Sequence, residues 1–143
     1  LARAYCSIVA HDVGKTARLL IVDLDNTLWG GVVGEDGIEG LSIGGDYPGN
    51  AFKDFQNVLL NLKKRGLALA IVSKNDEDVA LEAIEKHAEM ALKISDFATY
   101  RINWNEKYQN IIEICNELSL GLGSVLFIDD NPVEIQDDES DDE

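Results

Sequence analysis

Apolar residues along the chain follow two different rhythms. Three short continuous runs, "LLIV" (19–22), "LALAIV" (67–72) and "VLFI" (125–128), suit strands covered on both faces, and the interrupted run "FATYRI" (97–102), third in chain order, reads as a weaker strand. Between them apolar residues recur at helical spacing. From Ala51 they fall at Phe52, Phe55, Val58, Leu59 and Leu62, and "KKRG" then supplies a basic last turn and a glycine stop. A second helix starts at Asn75 or Asp76 and carries Val79, Ala80, Ala83, Ile84 and His87 on one face. A third runs from about Asn105 to Leu118. Residues 1–10 read as a short helix, and "WGGVVGEDGIEGLSIGG" (29–45), glycine-rich with short β-branched pieces, reads as a hairpin-like flap. Strands alternating with helices at this spacing predict an α/β fold: a doubly wound, Rossmann-like parallel sheet with a short flap. No internal repeat is visible.

Length and charge narrow the class. The 143 residues suffice for one core, and 45% are hydrophobic, an ordinary share for a globular chain. Formal net charge is −15, from 27 acids against 12 bases. Six of those acids lie in the closing "DDESDDE", which reads as a disordered acidic tail over 135–143, with the folded domain spanning 1–134. The acids that remain still outnumber the bases, which disfavours nucleic acid and anionic membranes as partners. No apolar run approaches the ~20 residues a bilayer needs, and the expected location is the cytoplasm. Cys6 and Cys115 form neither a disulfide framework nor a zinc pattern; Cys115, among Ile111, Ile112 and Leu118, reads as a small core residue. The chain opens "LARAYC" with no methionine, so it reads as a piece of something longer.

The polar residues worth most attention stand where the apolar runs stop. Open parallel sheets bind ligands in the crevice beyond the carboxyl ends of their strands. The first run ends at Asp23 and Asp25, the second at Ser73, the fourth at Asp129 and Asp130. Four carboxylates gathered there repel one another unless a cation sits among them, and a hard divalent ion with oxygen ligands, Mg²⁺ by preference, meets that need. Lys107 falls in the first turn of a helix, where the dipole disfavours a cation by roughly 0.3–1 kcal/mol; a facing carboxylate cluster or phosphate offsets this. A serine, a lysine, a metal and helix N-termini together make a phosphate cradle. Singly each residue has a plainer reading: Asp and Asn form turns, and Ser73-Lys74-Asn75-Asp76 is also a helix cap. Jointly the cradle is the better reading.

"DLDNT" (23–27) resembles the DxDxT signature of the haloacid dehalogenase-like phosphotransferases, with Ser73, Lys107 and the Asp129-Asp130 pair matching the second, third and fourth motifs. The resemblance implies Asp23 as nucleophile forming an aspartyl-phosphate, and Asp25 as general acid, then base. Thr27, Ser73, Lys74, Asn75 and Lys107 become the expected phosphate-binding set. Asp23, the backbone carbonyl of Asp25, and Asp130 in preference to Asp129 become the expected Mg²⁺ ligands. The segments between Thr27 and Ser73 and between Ser73 and Lys107 leave no room for the cap domain many members insert, so the site is expected to be open.

The wider stretches "FQNVLLNLKKRGLALAIVSKND", "INWNEKYQNI" and "SVLFIDDNPVE" look like the FkbH-like branch, associated with polyketide synthesis. That resemblance implies a glyceryl transferase/phosphatase. Such a domain takes 1,3-bisphosphoglycerate, a phosphorylated three-carbon substrate, removes phosphate and loads the glyceryl unit onto the phosphopantetheine thiol of an acyl carrier protein, among neighbouring domains of a larger synthase. Two departures stand out: Val72 occupies the position before Ser73 where many members carry cysteine, and the ending after Asn131 is unlike the family's. A plain Mg²⁺-dependent phosphatase and a non-catalytic carrier-docking module are the alternatives. Trp29 and Trp104 either line a groove beside the site or pack inside, Trp29 under the flap and Trp104 in the core. "GKT" (14–16) is no P-loop, because Val9 stands where that motif needs glycine and a strand follows where it must precede.

Overall fold

The computed structural model describes residues 17–129. The helix expected over 1–10, the Gly14–Thr16 stretch, Asp130 and the acidic tail lie outside them. Four strands, β1 (Leu19–Val22), β2 (Ala68–Ser73), β3 (Thr99–Ile102) and β4 (Val125–Ile128), form one sheet in the order β3-β2-β1-β4. Every pairing is parallel: Leu19 lies opposite Ala68 on one side and Val125 on the other. Three helices make the crossovers, α1 (Gly49–Lys64), α2 (Glu77–Lys86) and α3 (Lys107–Leu118). The central strands explain their own continuous apolar text. Leu20 and Val22 face a cluster that includes Phe55 and Leu59 of α1 and Ala80, Ala83 and Ile84 of α2. Leu19 and Ile21 face the other way, onto Ile111, Ile114 and Cys115 of α3. The sheet is therefore doubly wound, and both β1 faces are fully buried.

Three details depart from the sequence pattern. Val58 belongs to the helical stripe by spacing but is half-exposed, because α1 turns Phe52, Phe55, Gln56 and Leu59 inward instead. The glycine-rich flap is not a hairpin. It holds one helical turn at Val33–Asp36, packed against α2, and is closed by a single antiparallel bridge between Gly30 and Ser42. A methyl group on Gly30 would stand 2.9 Å from the Phe52 ring, so a side chain there would displace the flap or the ring of α1. Trp104, half of whose expectation was core burial, is 66% exposed.

Gln56 escaped the periodicity altogether. Its amide is wholly buried, donates to the Leu28 carbonyl (2.8 Å) and accepts from the Ala91 and Leu92 N–H groups (2.8 and 3.2 Å). One side chain thus ties α1 to the loop entering the flap and to the loop before β3. Gln56→Leu strands three backbone groups, at about 1–3 kcal/mol for each one left unsatisfied. We expect a loss of about 3 kcal/mol, read as a lowered denaturant midpoint at unchanged m-value.

Candidate active site

The carboxyl edge of the sheet collects what the strands carry there. Asp23 follows β1 directly, and its N–H donates to the Ile128 carbonyl of β4 (3.1 Å), which sets it beside Asp129. Lys107, the first residue of α3, reaches in from the far face and donates to Asp23 Oδ2 (3.0 Å) and Asp129 Oδ2 (2.6 Å). All three side chains are buried. Burial works against the Lys107 ammonium, but the two carboxylates outweigh it and hold its pKa above the ordinary lysine value. For Asp23 the balance falls the other way. Burial, assisted by the neighbouring Asp129, pushes its carboxyl up to about 7 despite the pull of Lys107.

The loop after β1 is shaped by its own sequence. Leu24 accepts from the Thr27 and Leu28 N–H groups, closing a tight turn, and Asn26 takes the left-handed conformation (φ 59°) that asparagine tolerates. Asn26 Oδ1 then accepts from the Gly31 N–H (2.9 Å), fixing the entry to the flap. This turn sends Asp25 away from Asp23. Its Oδ1 accepts from Trp29 Nε1 (2.9 Å) and the Val33 N–H (3.0 Å), and its Oδ2 from Asn75 Nδ2 (3.0 Å). Asn75 also donates to Ser73 Oγ (3.1 Å), so one amide joins the end of β2 to the loop after β1. Thr27, buried in the same loop, holds its Oγ1 without a hydrogen-bond partner among the described residues.

Asp23, Asp25, Thr27, Ser73, Asn75, Lys107 and Asp129 therefore meet at one edge, as the strand ends required. Lys74 lies half-buried beside Ser73, outside this hydrogen-bonded set among the described residues. Trp29 is fully buried and holds Asp25, the flap-packing alternative for this residue. Its spacing of four from Asp25 was the one available signal of that contact. Cys115 is buried behind the sheet, where burial raises its thiol pKa, and Val72 is buried within β2.

The raised Asp23 pKa has a consequence for stability. Folded, the carboxyl binds its proton up to about pH 7; unfolded, only up to 3.8. Between those values the folded state holds more protons, so stability falls as pH rises through that window. In metal-free protein we expect about 2 kcal/mol less stability at pH 8 than at pH 5.5. Thermal melts of wild type and Asp23→Asn at both pH values check this, and the variant should lose the difference.

The geometry is that of an α/β domain with a lysine and an acid cluster at the carboxyl ends of its strands. Among solved structures, the chain is similar to the N-terminal part of the protein BF1531 from Bacteroides fragilis, which contains a phosphatase domain and is complexed with Mg. The two are 42% identical with a TM-score of 0.85, over 92% of this chain and 36% of that one. This chain thus spans about a third of that relative's length. The hypothetical protein XCC2798 from Xanthomonas campestris shares the fold at 22% identity and a TM-score of 0.50, over 81% of this chain and 56% of its own. No family model and no curated protein matches the chain. The Bacteroides fragilis relative so matched contains a phosphatase domain, and the motif residues of this chain gather at the sheet edge.

Proposed function

We propose that the chain is a Mg²⁺-dependent phosphatase domain working through an aspartyl-phosphate on Asp23. The observation that carries this is the Lys107 ammonium shared between Asp23 and Asp129 at the sheet edge. Lys107 orients the Asp23 carboxylate and offsets charge arriving with a phosphoryl group. Asp23 Oδ attacks phosphorus, the P–O bond to the leaving group breaks, and Asp25 supplies the proton the departing oxygen needs. Asp25 is held for that task by Trp29, Val33 and Asn75. Water then attacks the aspartyl-phosphate, with Asp25 taking its proton. Thr27 Oγ1, Ser73 Oγ and Lys74 are the remaining phosphate contacts.

A hard cation fits the donor set, because the buried groups are carboxylate oxygens and one ammonium serves two of them. Among the described residues no three acidic, His or Cys side chains gather closely enough to hold a metal. Asp23, the Asp25 carbonyl, and Asp130 or Asp129 would hold it. When bound, Mg²⁺ supplies charge that shields an anionic substrate from an anionic nucleophile. Excess Mg²⁺ should raise the thermal midpoint more at pH 8 than at pH 5.5, because it competes with the Asp23 proton.

The finer reading, supported by the resemblance to the FkbH-like branch, is release of phosphate from a 1,3-bisphosphoglycerate-derived unit and passage of glyceryl to an acyl carrier protein. The lack of a cap between Thr27 and Ser73 and between Ser73 and Lys107 suits a substrate presented on a large partner. Among the described residues, Val72 and the buried Cys115 offer no accessible thiol near Asp23 for a protein thioester. Labelled bisphosphoglycerate, Mg²⁺ and a holo carrier protein, given to the full-length protein, test this. Glyceryl mass on the carrier supports transfer; phosphate release without it leaves the phosphatase alone.

A further inference from the structure

Two tryptophans meet opposite fates in this fold. Trp29 is sealed in the core, whereas Trp104 stands 66% exposed at the same edge as the acid cluster. Trp104 is nonetheless held. Its indole N–H donates to Asp76 Oδ1 (2.9 Å), which spans the gap between the end of β3 and the start of α2. The loop beneath it is braced as well. The Asn103 N–H donates to the Ser73 carbonyl (3.1 Å), and Asn103 Oδ1 accepts from the Asn105 N–H and from buried Asn110 Nδ2 (3.0 and 2.8 Å). The outcome is a large apolar ring, held in place, that no described residue covers.

The ring forms one side of a groove of about 510 Å³ whose other walls include Asn75, Asp76, Glu77, Asp78 and Asn103. Asn75 belongs to this groove and also to the catalytic edge, through its bonds to Asp25 and Ser73. Asn75 thus adjoins both the catalytic edge and the groove that Trp104 walls. Three acids line the groove, and none of its lining residues is Lys or Arg. Their charge repels a carboxylate or second phosphate, while their oxygens accept from hydroxyl or amide donors; the indole offers a face to C–H groups.

We propose that Trp104 is a specificity-determining residue, and that the groove takes the non-phosphoryl arm of a phosphate ester carrying no negative charge. This rests on the phosphatase reading of the neighbouring site and narrows its substrate. Any carboxyl on the substrate is then masked, as in an ester or thioester.

The experiment compares three probes with Mg²⁺ in wild type, Trp104→Ala and Trp104→Phe. Glycerol 3-phosphate and 3-phosphoglycerate are equal in length and differ by a hydroxymethyl group against a carboxylate; acetyl phosphate is the short probe, with no arm beyond its acetyl group. Wild type should favour glycerol 3-phosphate over 3-phosphoglycerate in kcat/KM. Trp104→Ala should lower kcat/KM for glycerol 3-phosphate about tenfold more than for acetyl phosphate, chiefly through KM. Trp104→Phe should restore most of it, and Glu77→Gln with Asp78→Asn should narrow the discrimination against 3-phosphoglycerate. An equal effect of Trp104→Ala on the long and short probes, or a wild-type preference for 3-phosphoglycerate, overturns the proposal. If no probe is hydrolysed, the phosphatase reading has failed. Chemical shifts of the Trp104 indole with glycerol 3-phosphate in Asp23→Asn then decide the groove alone: a saturable shift supports it and none overturns it.

Discussion

Asp23→Asn should abolish Mg²⁺-dependent phosphate release while leaving the protein folded and, without metal at pH 8, more stable than wild type. The activity loss should be on the order of 10⁴-fold or more, the scale seen when a covalent nucleophile is removed. The gain in stability follows from burial. Wild-type Asp23 must ionise in a place that pushes its pKa up to about 7, and the amide carries no such cost. Phosphate release from acetyl phosphate and a thermal melt on one preparation read both effects. The pairing is diagnostic: a merely structural aspartate would lose stability along with activity, and a bystander would lose neither. Release that survives the substitution would move the nucleophile elsewhere.

Burial also explains why this edge of the sheet was legible from sequence. In a parallel sheet covered on both faces, apolar text is compulsory from Leu19 to Val22, so the first carboxylate after it marks the strand's end without ambiguity. The same holds for Ser73 after β2 and Asp129 after β4. Strand ends share one edge whatever the loops do, so the fold class and the meeting of Asp23, Ser73 and Asp129 came together. Lys107 was legible for the opposite reason, as a cation placed where a helix start disfavours it.

What stayed hidden depends on direction, which spacing does not carry. Asp23 and Asp25 are two residues apart, yet the left-handed Asn26 turn gives Asp25 to Trp29, Val33 and Asn75 while Asp23 faces Lys107. The flap resisted reading because its glycines favour no period; it is one helical turn and one bridge where a hairpin was expected. Gln56 sits on the apolar stripe of α1 as a polar residue, and only the backbone groups it meets make sense of it. Trp104 is the reverse case, an apolar residue whose partner, Asp76, lies in another loop.

Lys107→Met should be the most destabilising single change at this edge. It removes the ammonium that donates to Asp23 and Asp129, leaving two buried carboxylates facing each other. Breaking a buried ion pair from one side costs about 3–5 kcal/mol, because the charge left behind keeps its desolvation penalty. The methionine removes an unfavourable cation from the first turn of α3, but that returns only about 0.3–1 kcal/mol. The loss should be largest at pH 8 and shrink at pH 5.5, where protonating Asp23 relieves the repulsion. Adding Asp23→Asn to Lys107→Met should restore much of the stability, since a single carboxylate then remains. Denaturant unfolding of the four proteins at the two pH values forms a double-mutant cycle that isolates the pair. Additive losses would mean that Lys107 does not compensate Asp23. A coupling of several kcal/mol at pH 8 that fades at pH 5.5 would establish that the lysine's first task is to make a buried aspartate tolerable as an anion, the state in which it can attack phosphorus.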